Sequence, residues 1–282
     1  LALLSLFLYR YMMKPLLQLQ SATQHFSAGD FDIRASQLMG ERNDEFSDLA
    51  RTFDDMASRI GEQIISQRQL IADLSHELRT PLTRLDIAVA EVKEEQRTLN
   101  VKRIERESKH IRRLVEDTLS LAWLENEQPE LQQETVDLIA LLEVIIDDAR
   151  FEFPDRKINT VFPESAIVEH SSHRAAGQAI ENILRNALRY TPSGKAVEVQ
   201  LIDQITIFET SILDQGPGVP ESLLKAIFKP FFRVDKSRER KGASFGLGLA
   251  LAQRQLAAIR GRVFAKNREN GGLAMYIEIP KS

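Results

Sequence analysis

The sequence predicts a multidomain chain: an all-α front part, built as a coiled-coil and four-helix-bundle dimer, followed by an α+β sandwich. Three observations predict this. Before residue 125, apolar residues recur at spacings of three and four over long stretches. The run Glu125-Asn126-Glu127-Gln128-Pro129 then breaks that pattern with polar residues and a proline. Beyond it, strand-like runs at Thr160-Val161-Phe162, 197–201, 205–208 and 275–279 are interleaved with helical stretches near 137–151, 173–190, 221–227 and 247–260.

The chain has 282 residues, enough for two or three domains. A hydrophobic share of 43%, a charged share of 28% and a formal net charge of −4 give no sign of a nucleic-acid surface. Without cysteine there is neither disulfide nor thiolate chemistry, and the five histidines form no zinc-type cluster.

Residues 1–9 are almost wholly apolar but too few to span a bilayer, which needs about 20. Arg10 and Lys14 follow this run and do not precede it, which argues against a signal peptide. Residues 1–14 read as the end of a transmembrane helix, with Tyr9, Arg10, Tyr11 and Lys14 as its interfacial flank on the cytoplasmic side; the alternative is a small buried N-terminal helix. From Lys14 to Ile64 the pattern is helix, break, helix. Pro15 suits a helix start, Ser27-Ala28-Gly29-Asp30 a stop, and 31–40 a connector. Asn43-Asp44 caps a second helix carrying Phe46, Leu49, Phe53, Met56, Ile60 and Ile64. No proline interrupts the path from there to Leu74, so one helix is expected to run on, with Gly61 its weak point. Thr98-Leu99-Asn100 reads as a turn, followed by a helix with Ile104, Ile111, Leu114, Val115, Leu119 and Ala122 on one side. Two such helices bury too little alone, which implies a homodimer.

The chemistry centres on Ser75-His76-Glu77-Leu78-Arg79-Thr80-Pro81. Ile71, Leu74, Leu78, Leu82, Leu85, Val89 and Val92 form the apolar stripe of its helix. His76 lies two residues past Leu74, about 200° around the helix, and so faces solvent. An exposed neutral imidazole is a usable nucleophile, and Glu77 can orient it or take its proton. The plainer reading is a surface histidine before a kinking proline. A second constellation lies in the back part. On a helix over 179–190, Asn182, Asn186 and Arg189 fall opposite Ile180, Ile183, Leu184 and Ala187. Two carboxamide oxygens a turn apart suit a hard divalent ion, and the arginine suits phosphate; a solvated polar face is the plainer reading. Asp214-Gln215-Gly216-Pro217-Gly218 follows a strand-like run, and its glycines permit a tight turn. Gly246-Leu247-Gly248-Leu249 opens a helix whose N-terminus favours phosphate. Gly271-Gly272 reads as a hairpin turn, and at least one of Phe228, Phe231 and Phe232 as a core plug.

Together and in this order, these stretches resemble the membrane sensor histidine kinases of two-component systems, nearest in flavour to the CpxA-like envelope-sensing kinases. The resemblance covers nearly the whole chain: residues 15–65 resemble a HAMP signal relay, 66–128 a dimerisation and phosphoacceptor domain, and 132–282 the ATP-binding domain shared with gyrase, Hsp90-type chaperones and MutL. It implies ATP and Mg²⁺ as cofactors, phosphorylation of His76 with Glu77 as acid/base partner, and Thr80 positioning water in dephosphorylation of a response regulator. It implies Asn186 and Asn182 at the metal, Tyr190 beside adenine, and Asp214 accepting the adenine amine in a loop with Gly216 and Gly218. Phe228, Phe231 and Phe232, with Arg233, match the aromatic box; Arg189, Gly246, Leu247, Gly248 and Leu249 match the phosphate side. The partners implied are a second copy, a response regulator and the bacterial inner membrane. Alternatives are a kinase-deficient phosphatase of the regulator, a gyrase-like or chaperone-like ATPase, and a dimeric scaffold. The chain departs from the family at Ala243-Ser244-Phe245, where glycines and a small hydroxyl residue are usual; this is expected to stiffen the lid over the nucleotide.

Overall fold

The computed structural model describes residues 2–40, 42–90, 97–126, 134–234 and 245–282, in two compact units, 1–75 and 76–282. In the first, helix α1 (Ala2–Leu8) passes through a π-helical turn (Tyr9–Met13) into α2 (Lys14–Ser27). Among the described residues no helix is long and apolar enough to cross a membrane. The expected connector holds a short helix, α3 (Ala35–Met39), whose first amides Ala35 and Ser36 donate to the Asp54 carboxylate at 2.6 and 3.0 Å. Helix α4 runs unbroken from Glu45 to Ala90, so the expected continuous helix is present. Its start is tied by Asp44: Ser47 N–H donates to the Asp44 carboxylate and the Asp44 N–H to Ser47 Oγ. Ala22, Ala35, Met39, Ala50, Phe53 and Ala57 form the small core of this unit.

Helix α5 spans Arg97–Asn126, so Thr98-Leu99-Asn100 is helical and not a turn. Asn100 is buried here, and tertiary context overrides its low helix propensity. The buried positions described on α5 are Asn100, Glu107, Leu114, Thr118 and Leu121, at successive spacings of seven, seven, four and three. The expected stripe is therefore shifted, and Val115 and Leu119 are exposed. On α4 likewise Leu70, Pro81 and Ala88 are buried, whereas Ile71, Leu82, Ile87 and Val89 are exposed.

The back part is the expected α+β layer. Strands β1 (Glu134–Asp137) and β3 (Ile167–Ser171) pair antiparallel. The main sheet has the order β2-β4-β5-β7-β6, with β2 (Lys157–Val161) parallel to β4 (Ala196–Asp203). The pairings of β4 with β5 (Ile207–Leu213), of β5 with β7 (Leu273–Pro280) and of β7 with β6 (Arg262–Asn267) are antiparallel. Helices α6 (Leu138–Glu152), α7 (His173–Tyr190) and α8 (Gly248–Ala258) share one core with the inward side chains of the sheet. Ile180, Ile183, Leu184 and Leu188 of α7 and Ile212 of β5 are almost wholly excluded from solvent, each such side chain contributing about 1.5–3 kcal/mol. Asp137 caps α6 by accepting from Ile139 and Ala140, and Ser172 caps α7 by accepting from Ala175. The helix expected near 221–227 is instead two single 3₁₀ turns, Glu221–Leu223 and Ala226–Phe228.

Candidate functional site

The candidate site residues fall into two groups. On α4, His76 and Thr80 are exposed and Glu77 is half-buried. Ser75 Oγ bonds back to the Ile71 carbonyl at 2.8 Å, and Thr83 Oγ1 to the Arg79 carbonyl at 2.9 Å, so these hydroxyls are turned into the helix. Among the described residues no side chain hydrogen-bonds the His76 imidazole.

The second group surrounds the C-terminal end of β5. Asp214 is buried, and its Oδ1 accepts from Gly216 N–H at 2.8 Å and Leu273 N–H at 2.9 Å. Burial raises the pKa of this carboxyl above its usual range, against the lowering effect of those two bonds. Thr191 Oγ1, just past α7, accepts from Gln215 N–H at 3.3 Å. A side chain at Gly216 would press on Tyr190, with its Cβ 3.0 Å from the Tyr190 carbonyl oxygen, so the turn and the end of α7 are in close approach. Asn182 and Asn186 are half-buried on α7, and a Cβ on Gly248 would lie 3.6 Å from Asn182 Oδ1. The N-terminus of α8 thus opens beside the asparagine stripe. Arg189 and Tyr190 are exposed, and partial desolvation, then the Arg113 charge, lowers the Arg189 pKa.

Of the aromatic set, Phe228 is in the core, Phe232 packs on it and Phe231 is half-buried with φ 59°. Gly246, at φ 76°, lies against the backbone of Phe231 and Phe232; a Cβ there would come within 2.8 Å of the Phe232 carbonyl oxygen. Arg233 is half-buried; Leu247 is buried and Leu249 packs on the core. Ala243 and Ser244 lie outside the described residues. Phe245 is described, and its ring stands edge-on to His110 of α5, centroids 6.1 Å apart.

Three family models match in the same order: the HAMP domain over residues 7–62, the His Kinase A (phospho-acceptor) domain over 66–127, and the Histidine kinase-, DNA gyrase B-, and HSP90-like ATPase over 172–282. The chain belongs to the sensor histidine kinases. Among curated sensor histidine kinases it is similar to the sensor protein PfeS of Pseudomonas aeruginosa, 37% identical over 99% of this chain and 62% of PfeS. It is also similar to CpxA of Escherichia coli, 32% identical over 95% of this chain and 58% of CpxA. The chain thus spans about three-fifths of the length of these relatives. Among solved structures, the histidine kinase AdeS of Acinetobacter baumannii matches with a TM-score of 0.60 at 25% identity, over 73% of this chain and 98% of that one. ShkA, solved with AMPPNP, matches with a TM-score of 0.58 at 27% identity, over 76% of this chain and 45% of that one.

Sequence reading missed the residues that hold the Asp214 loop from the other side: Asn267, Arg268 and Leu273. Only the Gly271-Gly272 pair signalled a turn there. Its closeness to Asp214, where a Cβ on Gly272 would overlap the Asp214 carbonyl oxygen, comes from pairing β5 with β7 about sixty residues apart.

Proposed function

We propose that this chain phosphorylates itself on His76 from Mg-ATP and passes the phosphoryl group to an aspartate of a response regulator. The observation that carries this reading is the pairing, in one chain, of an exposed histidine on α4 with a half-buried asparagine face and a buried aspartate at the end of β5. Asn182 and Asn186 fit a hard divalent ion by their donor chemistry, since carboxamide oxygens suit Mg²⁺ alongside nucleotide phosphates. When bound, the ion would neutralise charge on those phosphates. Asp214 accepts the exocyclic amine of adenine, with Tyr190, Gly216, Gly218 and the Phe228, Phe231 and Phe232 set around the base. Arg189, Arg233 and the α8 opening at Gly246–Leu249 face the phosphates. A His76 ring nitrogen attacks the γ-phosphorus; the bond to the β,γ-bridging oxygen breaks, ADP leaves, and Glu77 takes the imidazole proton.

We divide the chain into residues 1–14 as the membrane end, 15–65 as signal relay, 66–128 as phosphoacceptor and 132–282 as catalytic domain. The exposed Ile71, Leu82, Val89, Val115 and Leu119 support a homodimer through the hairpin. The apolar start, with Leu3, Leu4, Leu6 and Phe7 exposed, supports anchoring in a bacterial inner membrane with the rest on the cytoplasmic side. Thr80, exposed one turn beyond His76, supports a second activity of the same site, dephosphorylation of the regulator. The test is incubation of the full chain with γ-labelled ATP and Mg²⁺. Acid-labile, base-stable label on the protein is the expected result; no label, or an acid-stable one, overturns the reading. A Thr80→Ala variant is expected to keep the label and lose regulator dephosphorylation.

A further inference from the structure

The Asp214 loop is gripped at both ends by the β6–β7 hairpin. At its start, Arg268 Nη1 donates to the Asp214 carbonyl at 2.9 Å while Nη2 reaches Glu198 on β4 at 3.2 Å, which anchors the guanidinium to the sheet. Leu273 exchanges two bonds with Asp214: its N–H donates to Oδ1 at 2.9 Å, and its carbonyl accepts from Asp214 N–H at 2.9 Å. At the far end, Asn267 closes a two-way pair with Val219, Oδ1 accepting at 2.9 Å and Nδ2 donating at 2.6 Å. The hairpin is itself closed by Arg268 N–H to the Gly272 carbonyl at 3.0 Å and Gly271 N–H to the Arg268 carbonyl at 3.1 Å. Gly218, at φ 72°, passes so close that a Cβ would sit 2.9 Å from Asn267 Oδ1.

The consequence is directional. The two bonds to the Asp214 carboxylate, from Gly216 on the loop itself and from Leu273 on the hairpin, fall on Oδ1, so Oδ2 is the oxygen offered to an incoming N–H, and the hairpin shares in setting its direction. We infer that Asn267 and Arg268 are positioning residues for purine recognition: by holding Val219 and the Asp214 carbonyl they aim Asp214 Oδ2 at an exocyclic amine and so select adenine over a 6-oxo purine. This rests on the nucleotide reading of the site. A hydrogen bond that a site is built to make is lost when its acceptor is misaimed, which lowers affinity for the ligand that makes it and spares the ligand that does not.

The experiment compares the full chain with Asn267→Ala, Asn267→Asp, Arg268→Ala and Arg268→Lys. Affinities for ATP and for inosine triphosphate, which carries a carbonyl where ATP has the amine, are measured by calorimetry. Amide exchange at Gly216 and Leu273 is followed without nucleotide. The alanine variants are expected to weaken ATP by about three- to tenfold, as one misaligned hydrogen bond does, with inosine triphosphate unchanged within twofold. Exchange at both amides should quicken, and Arg268→Lys, which keeps a donor for the carbonyl, should recover part of each effect. Equal loss of both nucleotides would show a merely structural role and overturn the proposal, as would unchanged exchange at both amides. A wild-type chain with no preference for ATP would instead sink the nucleotide reading, while the exchange arm, which uses no nucleotide, would still decide whether the hairpin holds the loop.

Discussion

His76 and Asp214 are opposite designs. The histidine stands on a helix surface with no side chain of the described residues bonded to its ring. Asp214 is 3% exposed, and its N–H, its carbonyl and one carboxylate oxygen are all bonded to named partners. In the proposed reaction the first group must meet a nucleotide and then a separate protein, and gains from being exposed and unheld. The second, proposed to tell one base from another, gains from being buried and aimed, because an unpaired polar atom there is penalised.

The largest expected effect tests the exposed end of that contrast. His76→Gln should abolish label incorporation and leave melting temperature and ATP affinity unchanged, since no packed contact is lost. Full labelling of this variant would remove His76 from the reaction.

The pH dependence of the buried end comes next. Burial raises the folded-state pKa of Asp214 above its value in the unfolded chain. The sign follows: the folded state binds this proton more readily, so this group favours folding below the raised pKa and loses that effect as pH rises through it. Nucleotide binding runs the other way. On the proposed reading the acceptor is the carboxylate, so ATP affinity should fall on acidification at a pH above the ordinary carboxylate range. Inosine triphosphate affinity, which makes no use of that acceptor, should not follow. Parallel curves for the two nucleotides would show that Asp214 does not read the base. At Asn186, half-buried on the polar side of α7, Asn186→Ala should weaken Mg²⁺-dependent ATP binding with little change in melting temperature. A collapsed melting temperature with ATP still bound would make it a structural residue.

How far the sequence reveals these regions follows the same divide. The long helices were legible because a stripe repeated over many turns survives any local exception, and the buried face of α7 was read residue by residue. The short elements were not. Helix α3 is five residues long and is started by Asp54, a residue far along the chain, so no local signal announces it. Strand β1 is four residues with two acids, and β6 carries Arg262 and Lys266 on a sheet edge, which hides the alternation. The aspartate of the loop was visible as a turn motif, but its holders were not. Asn267 and Arg268 follow no motif, and only the β5–β7 and β6–β7 pairings bring them to Asp214.

The smallest expected effect concerns backbone groups left open by prolines. Pro15 has no N–H, so neither the Arg10 carbonyl five residues back nor the Tyr11 carbonyl four residues back receives a bond from it. In the π-helical turn there, Lys14 N–H reaches the Tyr9 carbonyl, and the Arg42 guanidinium donates to the carbonyls of Arg10 and Tyr11 at 3.4 and 3.1 Å. Arg42 also pairs with Asp44 and lies 5.6 Å from the Tyr11 ring centroid. Pro81 opens the Glu77 carbonyl in the same way, and no side chain of the described residues donates to it. The filled case should therefore couple two residues: Arg42→Ala should lower the first unfolding transition by a few degrees, as loss of a partly exposed bonded group does. In a Pro15→Ala background, where position 15 regains its N–H and the helix can close on itself, the same change should matter less. Additive effects of the two substitutions would show that Arg42 serves Asp44 and the Tyr11 ring alone and leaves the open carbonyls to solvent.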